Sequence, residues 1–438
     1  MNNIKLSFIS LGCPKNNVDS EKIINNFNDP FFSFEPDPSR ADAVLINTCG
    51  FIKPAMDETF DTIQEMLSVK ISNTKLKVIA FGCAISRDFE YWQRTFPEID
   101  AFFRLNEEQK LINFVHAIFK YPQAKKKIDV LKNVRNISAT LPHYAYLKIA
   151  EGCSRFCSFC TIPSIRGRYI SIPREKIIKE ADLLVKRGVK ELILIAQDTT
   201  MYGMDLYKKP SLLALLKDLV TIKGLEWIRI LYAYPEHIDD KLLHFIVDSK
   251  KITNYLDLPI QHSHPEMLKK MKREGTSVVF DKIFKKLREF QPDFGIRTSV
   301  ITGFPGETEE HHQHLLNYLS TIKFNRLGVF QYYQEKGTSA CELKGQVPDN
   351  IKENRYKELM FKQQEIHFQA NKHLKGKSIN TIIDSHIGKN IYLGRTYLDV
   401  PEIDALIQVK SRTQLKLGSI VQVKVNGFID YDLKGRVV

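Results

Sequence analysis

Three cysteines, Cys153, Cys157 and Cys160, lie within one eight-residue stretch in the order Cys-x3-Cys-x2-Cys. A structural zinc site closes its tetrahedron with four protein ligands, whereas a four-iron cluster held by three thiolates leaves one iron open to a small molecule. Three thiols with no fourth cysteine beside them therefore favour an iron-sulfur cluster with an open iron. The alternatives are a zinc knuckle with a distant fourth ligand and three buried core cysteines; the tight spacing in a loop argues against the core cysteines.

A second set of cysteines, Cys13, Cys49 and Cys83, recurs at intervals of 36 and 34 residues, each at the end of an apolar run. The runs predict buried strands with helices between them, at residues 4–9, 19–27, 43–46, 56–69 and 76–81. Because the carboxyl ends of parallel strands meet at one edge of a sheet, we expect the three thiols to converge there on a second cluster. Three independent buried thiols are the alternative, since cysteine is a common core residue.

Alternating strand and helix patterns continue from residue 144 to residue 301. They predict a full or partial (β/α) barrel, whose active site lies at the carboxyl ends of its strands. The segments run over residues 146–149, 174–187, 191–196, 212–219, 227–231, 239–249, 255–258, 279–290 and 297–301. The first strand leads directly into the loop with Cys153, where the chemistry of such a barrel is expected.

Polar and glycine residues follow several of these strands and outline one polar mouth. Glycine lets backbone amides approach a ligand closely, and a carboxylate there accepts hydrogen bonds from it. The predicted cofactor contacts are Gly303, Pro305, Gly306, Glu307, Gln197 and Gln261. Asp198 and His262 are the polar neighbours of Gln197 and Gln261 in the sequence. The alternative for the turn with Gly303, Pro305 and Gly306 is an ordinary loop turn that binds no ligand.

The last 65 residues or so change character, because five short β-rich runs follow one another with turns between them. They predict a small closed β-barrel of a type used for nucleic-acid or partner contacts. A barrel that merely docks on the catalytic domain is the alternative. Residues 121–136, with Pro122 and three consecutive lysines, read as a linker or surface strand without chemistry.

Four separated segments together resemble the methylthiotransferase family of radical S-adenosylmethionine (SAM) enzymes, and within it the RimO branch. They are residues 10–21 (SLGCPKNNVDSE), 160–167 (CTIPSIRG), 196–200 (AQDTT) and 401–404 (PEID). The resemblance covers essentially the whole chain. It implies an N-terminal methylthiotransferase domain (1–138), a radical SAM core (139–372) and a C-terminal TRAM β-barrel (373–438).

The resemblance also implies the activity, which is methylthiolation of an aspartate β-carbon in small-subunit ribosomal protein twelve. Two 4Fe-4S clusters and SAM are the implied cofactors. The catalytic cluster would use Cys153, Cys157 and Cys160, where reductive cleavage of SAM yields a radical that takes hydrogen from carbon. The auxiliary cluster on Cys13, Cys49 and Cys83 would present the sulfur. An electron donor such as flavodoxin or ferredoxin is an implied partner.

The chain departs from the branch pattern at four positions. Ile170 and Ile172 stand where basic residues are usual, and Tyr333 and Lys336 stand where Ser and Glu are common. These changes put charge-based roles for those positions in doubt, and Cys341 has no assigned role.

The charge balance, 64 Lys and Arg against 51 Asp and Glu, gives a net charge of +13 and favours an anionic partner such as RNA or the ribosome. A tRNA methylthiotransferase is therefore the alternative within the enzyme class, although tRNA fits the branch motifs less well. A ferredoxin-like carrier and a non-catalytic ribosome- or RNA-binding protein are alternatives outside it. The sequence contains no stretch of about eighteen apolar residues, so we expect no membrane span. Cluster-binding cysteines must stay reduced, which predicts a cytoplasmic protein.

Overall fold

The computed structural model describes residues 3–121, 141–273 and 277–438. The predicted linker, from residue 122 onward, lies outside them. The chain divides into two compact units. Unit 1 comprises Met1–Thr140, Glu151–Ser154 and Cys160–Tyr169, and unit 2 comprises Leu141–Ala150, Arg155–Phe159 and Ile170–Val438.

Unit 1 is built on a five-stranded parallel sheet in the order β2-β1-β3-β4-β5. Its strands are β1 Ile4–Ser10, β2 Phe32–Phe34, β3 Ala43–Thr48, β4 Lys77–Gly82 and β5 Ala101–Phe103. Its helices are α1 Pro14–Ile24, α2 Lys53–Ser72, α3 Cys83–Arg87, α4 Phe89–Thr95, α5 Glu108–Ile118 and α6 Ile162–Arg166. All six residues of the central strand β3 are buried, as expected for a parallel strand covered on both faces.

Unit 2 contains a six-stranded sheet in the order β13-β12-β11-β10-β9-β6, with every neighbouring pair parallel. These strands are β6 Tyr144–Lys148, β9 Glu191–Ile195, β10 Trp227–Ile230, β11 Ile252–Asp257, β12 Gly295–Thr302 and β13 Arg326–Gln331, and the two-residue strands β7 Ala150–Glu151 and β8 Ile170–Ser171 lie outside this sheet. The helices are α7 Arg174–Lys186, α8 Met204–Tyr207, α9 Leu212–Leu219, α10 Asp240–Asp248, α11 Pro265–Lys270, α12 Ser277–Phe290, α13 Glu309–Ile322 and α14 Asp349–Leu374. The sheet is open within the described residues, so the partial barrel is the form adopted.

A closed five-stranded barrel follows α14, in the order β14-β15-β16-β18-β17. Its strands are β14 Ser378–Gly388, β15 Ile391–Thr396, β16 Ile407–Lys410, β17 Ile420–Ile429 and β18 Asp432–Val437. Alternating inward side chains, among them Ile383, Val409 and Val423, fill its core. The predicted α/β architecture and the small C-terminal β-barrel are thereby confirmed.

Buried ion pairs join this barrel to the amino-terminal edge of the six-stranded sheet. Glu191, the first residue of β9, accepts from Arg229 Nε at 2.8 Å and from Arg395 Nη1 at 2.7 Å, and all three side chains are at most 1% exposed. In the same layer Arg326 pairs with Asp399 and Arg297 pairs with Asp404. The barrel therefore docks on the edge opposite to the carboxyl ends of the strands.

Candidate active site

The three cysteines of unit 1 meet at the carboxyl edge of its sheet. The register pairs Ser10 with Asn47 and Thr48 with Gly82, which aligns the ends of β1, β3 and β4. Cys13 follows β1 after a two-residue turn, Cys49 follows β3 directly, and Cys83 begins α3. Cys49 and Cys83 are buried, and Cys13 is partly exposed. The convergence expected from strand ends is therefore present.

Gly12 allows the loops that carry these cysteines to approach closely. Its φ is +86°, and a Cβ at this position would lie 2.6 Å from Cys49 Sγ. Gly82 has a φ of +110°, and a Cβ there would lie 2.4 Å from Asn47 Oδ1. Both positions need the left-handed conformation and the missing side chain of glycine. The turn before Cys13 is thus packed directly against the second thiol.

Burial controls the protonation of these thiols. It raises the pKa of the Cys49 thiol, and it raises the pKa of Cys83 to about 12, with the neighbouring cysteines adding to both effects. The thiolate form needed for metal ligation is therefore unfavourable unless positive charge compensates it. Three converging thiols, of which Cys49 and Cys83 are buried and Cys13 is partly exposed, fit a cluster held by three protein ligands.

Arg166, in the last turn of α6, brings that positive charge within unit 1. Its side chain is only 2% exposed. The guanidinium donates to Asn16 Oδ1 at 2.5 Å, to Asp19 Oδ2 at 3.1 Å and to Glu151 Oε1 at 2.9 Å. Burial acts to lower the pKa of Arg166, but the two carboxylates and the negative charges of Cys83 and Cys13 raise it. The guanidinium therefore also interacts with these two thiols.

The loop with the Cys-x3-Cys-x2-Cys motif is shaped by local backbone contacts. Cys153 is buried, and its N–H donates to Gly167 O at 3.0 Å. Gly152 has a φ of +73°, and a Cβ there would lie 2.2 Å from Arg168 O. Cys160 is partly exposed. The two flanks of the motif that belong to unit 1 are therefore held together by this glycine and the Cys153 amide.

Cys157 belongs to unit 2, where the next residue anchors the loop. Ser158 N–H donates to Met271 O at 3.0 Å, Ser158 Oγ donates to Lys270 O at 2.8 Å, and Ser158 O accepts from Ala340 N at 2.8 Å. Cys157 itself is buried. Three hydrogen bonds on one residue fix the backbone beside the thiol, as a metal ligand requires.

Two arginines near Cys157, Arg155 and Arg273, contact the same aromatic ring. Arg155 lies 3.9 Å from the Tyr234 ring centroid, and Arg273 lies 4.0 Å from it. Arg155 Nε donates to Asp198 Oδ2 at 2.8 Å. Burial acts to lower the pKa of Arg273, but Tyr234 and Cys157 raise it above its ordinary value. Sequence reasoning missed both arginines, because a single Arg carries no pattern.

The loop after β12 is organised by its own carboxylate. Glu307 Oε2 accepts from Gly303 N at 2.7 Å and from Phe304 N at 3.2 Å, and Oε1 lies 3.2 Å from Arg355 Nη1. Gly306 N donates to Gly345 O at 2.8 Å. Burial raises the pKa of Glu307, although Arg355 and the two amides act to lower it. The amides and carboxylate that the sequence predicts to face a ligand are thus engaged within the protein.

The other predicted cofactor contacts lie at the same carboxyl edge of the sheet. Gln261 has a φ of +69°, and its backbone pairs with Ser299 and Ile301 beside β12. Gln197 follows β9 and is partly exposed, whereas Pro305 is buried in the loop after β12. Their contact with a cofactor stays a prediction, as it does for Gly303, Gly306 and Glu307.

Asp198 and His262, the polar neighbours of Gln197 and Gln261, accept hydrogen bonds from nearby backbone amides. Asp198 Oδ1 accepts from Thr200 N at 3.0 Å and thereby closes the turn after β9. His262 Nδ1 accepts from His264 N at 2.9 Å, and burial lowers the pKa of His262 well below its ordinary value. The His262 ring is therefore neutral at pH 7.

A histidine-rich group lies at the starts of α11 and α13, where potential metal-ligand atoms of His264, Glu266 and His311 fall within 4.8 Å of one another. His264 Nδ1 accepts from Glu266 N at 3.2 Å, and His311 Nδ1 accepts from Thr308 N at 3.1 Å. His311 Nε2 lies 3.3 Å from the Glu266 carboxylate. Metal ligation through Nε2 would move each ring proton to Nδ1 and break both backbone contacts, so helix capping is the role that fits.

Comparisons with known proteins agree with this geometry. Residues 147–319 match the radical SAM superfamily, residues 5–104 match the uncharacterized protein family UPF0004, and residues 376–438 match the TRAM domain. The ribosomal protein uS12 methylthiotransferase RimO of Carboxydothermus hydrogenoformans is 42% identical over 99% of this chain and 100% of its own length. RimO of Thermodesulfovibrio yellowstonii is 42% identical over 98% of this chain and 99% of its own.

Solved structures show the same fold at low identity. The radical SAM methyltransferase TsrM of Kitasatospora setae, with tryptophan and a SAM analogue bound, superposes with a TM-score of 0.55 at 13% identity, over 75% of this chain and 73% of that one. The cobalamin-dependent radical SAM enzyme OxsB superposes with a TM-score of 0.51 at 12% identity, over 83% of this chain and 56% of that one.

Proposed function

The chain belongs to the RimO family of radical SAM methylthiotransferases, and on that premise we propose that it methylthiolates an aspartate β-carbon of ribosomal protein uS12, the small-subunit protein twelve. The observation that carries the proposal is the presence of two sets of three cysteines, each without a fourth. Electron-transfer ferredoxins close each cluster with four cysteines, whereas an open iron serves substrate or cofactor chemistry.

The reaction needs bound cofactors for its hard step. A β-methylene proton beside a carboxylate is far too weakly acidic for a side-chain base, so the 4Fe-4S clusters and SAM, when bound, supply the radical chemistry and the sulfur. Cys153, Cys157 and Cys160 would hold the catalytic cluster and Cys13, Cys49 and Cys83 the auxiliary one. The three hydrogen bonds of Ser158 keep the catalytic loop rigid, and the Glu307–Arg355 pair keeps the loop after β12 in place.

The division of labour follows the three-domain proposal made from the sequence. Residues 1–138 would carry the auxiliary cluster, 139–372 the radical core and 373–438 the TRAM barrel. The net charge of +13 supports contact with the ribosome or its RNA during recognition of uS12. A flavodoxin or ferredoxin is the kind of electron donor we expect. Within the described ranges every helix is too short or too polar to span a bilayer, and a cytoplasmic location stays a prediction.

Purified, anaerobically reconstituted protein tests the proposal with uS12, SAM, sulfide and a strong reductant. Cys153→Ala/Cys157→Ala/Cys160→Ala should retain about half of the iron, produce no 5′-deoxyadenosine and give no modified uS12, because two equal cluster sites are expected. Cys13→Ala/Cys49→Ala/Cys83→Ala should still cleave SAM but insert no sulfur. Cys341→Ala is the matched control and should behave as wild type. Methylthiolated uS12 from either triple variant would contradict the assignment.

A further inference from the structure

We propose that Arg166 is a positioning residue that sets the reduction potential of the auxiliary cluster. The inference rests on the proposed function, because it takes Cys13, Cys49 and Cys83 as the ligands of that cluster. Arg166 lies six residues after Cys160 in the sequence, in the segment of the catalytic motif, yet apart from Glu151 its contacts within unit 1 are with the surroundings of the other three cysteines.

Asn16 connects the guanidinium to the auxiliary thiols. Its side chain is fully buried, and Nδ2 donates to Leu11 O at 2.8 Å and to Thr48 O at 3.1 Å, which fixes the carboxamide. The Oδ1 atom then accepts from Arg166 Nη2 at 2.5 Å and lies 3.5 Å from Cys83 Sγ. The same carboxamide oxygen therefore faces both the cation and the third thiol.

Ligation changes what Cys83 needs from its neighbours. A protonated Cys83 donates to Asn16 Oδ1, but a thiolate has no proton to donate and instead requires nearby positive charge or hydrogen-bond donors. Arg166 is the guanidinium whose charge acts on both Cys83 and Cys13. Its position is held by Asp19 and Glu151, which leave it little freedom to move away.

The sign of the effect follows from charge. Reduction adds one electron to a cluster that three thiolates already make anionic, so a buried cation beside the sulfur atoms favours the reduced form. Without Arg166, the pocket would lose this positive charge and keep the negative charges of Asp19 and Glu151. The auxiliary cluster should then be harder to reduce.

The test uses the full-length chain with Cys153→Ala/Cys157→Ala/Cys160→Ala, so that only the auxiliary cluster is loaded. Redox titration followed by electron paramagnetic resonance compares this parent with added Arg166→Gln, Arg166→Lys or Arg94→Gln. Arg166→Gln should disfavour reduction at least tenfold, which for one electron is about 59 mV towards more negative potential. Arg166→Lys keeps the charge and should move the potential by less than half as much. Arg94 is exposed at the end of α4, and its variant should match the parent.

The outcomes separate the inference from the proposed function. A folded, fully loaded Arg166→Gln with the parent's potential would overturn the role of Arg166. If Arg166→Gln loads no iron, loading by Arg166→Lys supports the charge argument, whereas loss of iron in both variants overturns it in favour of packing. A parent that itself binds no cluster refutes the assignment of Cys13, Cys49 and Cys83, and the inference with it.

Discussion

Replacing Glu191 by Gln should strongly destabilise unit 2, because this carboxylate neutralises two buried arginines at once. Arg229 and Arg395 both donate to it, from the sheet and from the terminal barrel respectively. Arg395 also pairs with Asp384, whose other oxygen lies 2.7 Å from His143 Nε2. Glutamine keeps the size of the side chain but removes the charge that holds the two guanidinium groups together.

The expected cost follows from burial. Removing one partner of a buried, hydrogen-bonded ion pair costs about 3–5 kcal/mol, since the other charge is left uncompensated. Unit 2 has roughly 280 residues, and an unfolding entropy of about 2.1 cal/mol/K per residue gives about 0.6 kcal/mol/K in total. Dividing the cost by this entropy predicts a fall in Tm of about 5–8 °C.

Differential scanning calorimetry of the cluster-loaded protein measures the shift, with Glu226→Gln as the matched control. The Glu226 side chain is 53% exposed and lies 3.9 Å from Lys190, so its variant should change the free energy of unfolding by at most about 1 kcal/mol. Adding Arg229→Met to Glu191→Gln should recover part of the loss, because Arg229 forms its ion pair with Glu191, whereas Arg395 keeps Asp384 as a partner. Equal Tm values for Glu191→Gln and Glu226→Gln would show that the charge of Glu191 does not stabilise the two buried arginines.

Three further predictions concern the cysteine pocket, the pH dependence of stability and the loop after β12. Gly12→Ala should lose about half of the bound iron in an iron assay, since its Cβ would lie 2.6 Å from Cys49 Sγ and two equal cluster sites are expected. The control Gly188→Ala, also at positive φ but with open space around it, should load iron normally. Burial acts to raise the pKa of Glu191, but Arg395 and Arg229 lower it below its ordinary 4.5. The destabilisation by Glu191→Gln, measured by urea unfolding of the apoprotein, should therefore be complete above pH 4.5 and should shrink as the pH falls through the lowered pKa. Glu307→Ala should raise the KM for SAM about tenfold at unchanged iron content, because two loop amides lose their acceptor; an unchanged KM would show that the loop keeps its shape without the carboxylate.

Much of the fold could be predicted because its strongest signals are local. The apolar runs before Cys13, Cys49 and Cys83 are strands, and the pattern at residues 212–219 coincides with α9. The predicted burial holds for β3 and β4, whereas β1 is buried only at Leu6 and Ser7. Parallel-strand geometry then brings the three cysteines together. The motif with Cys153 needs no tertiary reasoning, because its ligands are neighbours in sequence.

The elements that sequence reasoning missed have weak patterns. β2 and β5 are three-residue edge strands, and β13 is only half buried. α14, from Asp349 to Leu374, carries mostly polar side chains and therefore lacks a clear apolar stripe. Arg166 acts through Asn16 and Asp19, and the predicted contact residue Glu307 also pairs with Arg355; spacing along the chain reveals neither of these distant contacts.

The segment Pro401–Asp404 has a structural role that its motif does not reveal. Tyr144 Oη donates to Glu402 Oε1 at 2.8 Å, and Arg297 pairs with Asp404. Recognition of the protein substrate by the barrel stays a prediction. In this structure the segment docks the barrel on the sheet. Truncation after Leu374 would also uncover Glu191 and Arg229, so it would disturb the radical core as well as recognition.

Mass spectrometry of uS12 and of tRNA from a deletion strain distinguishes methylthiolation of uS12 from modification of tRNA. We expect that uS12 loses one methylthio group from a single aspartate, that tRNA keeps all its modifications, and that the wild-type gene restores uS12 whereas the gene with Cys13→Ala/Cys49→Ala/Cys83→Ala does not. Loss of methylthio groups from tRNA together with unchanged uS12 in the deletion strain would contradict the proposed activity.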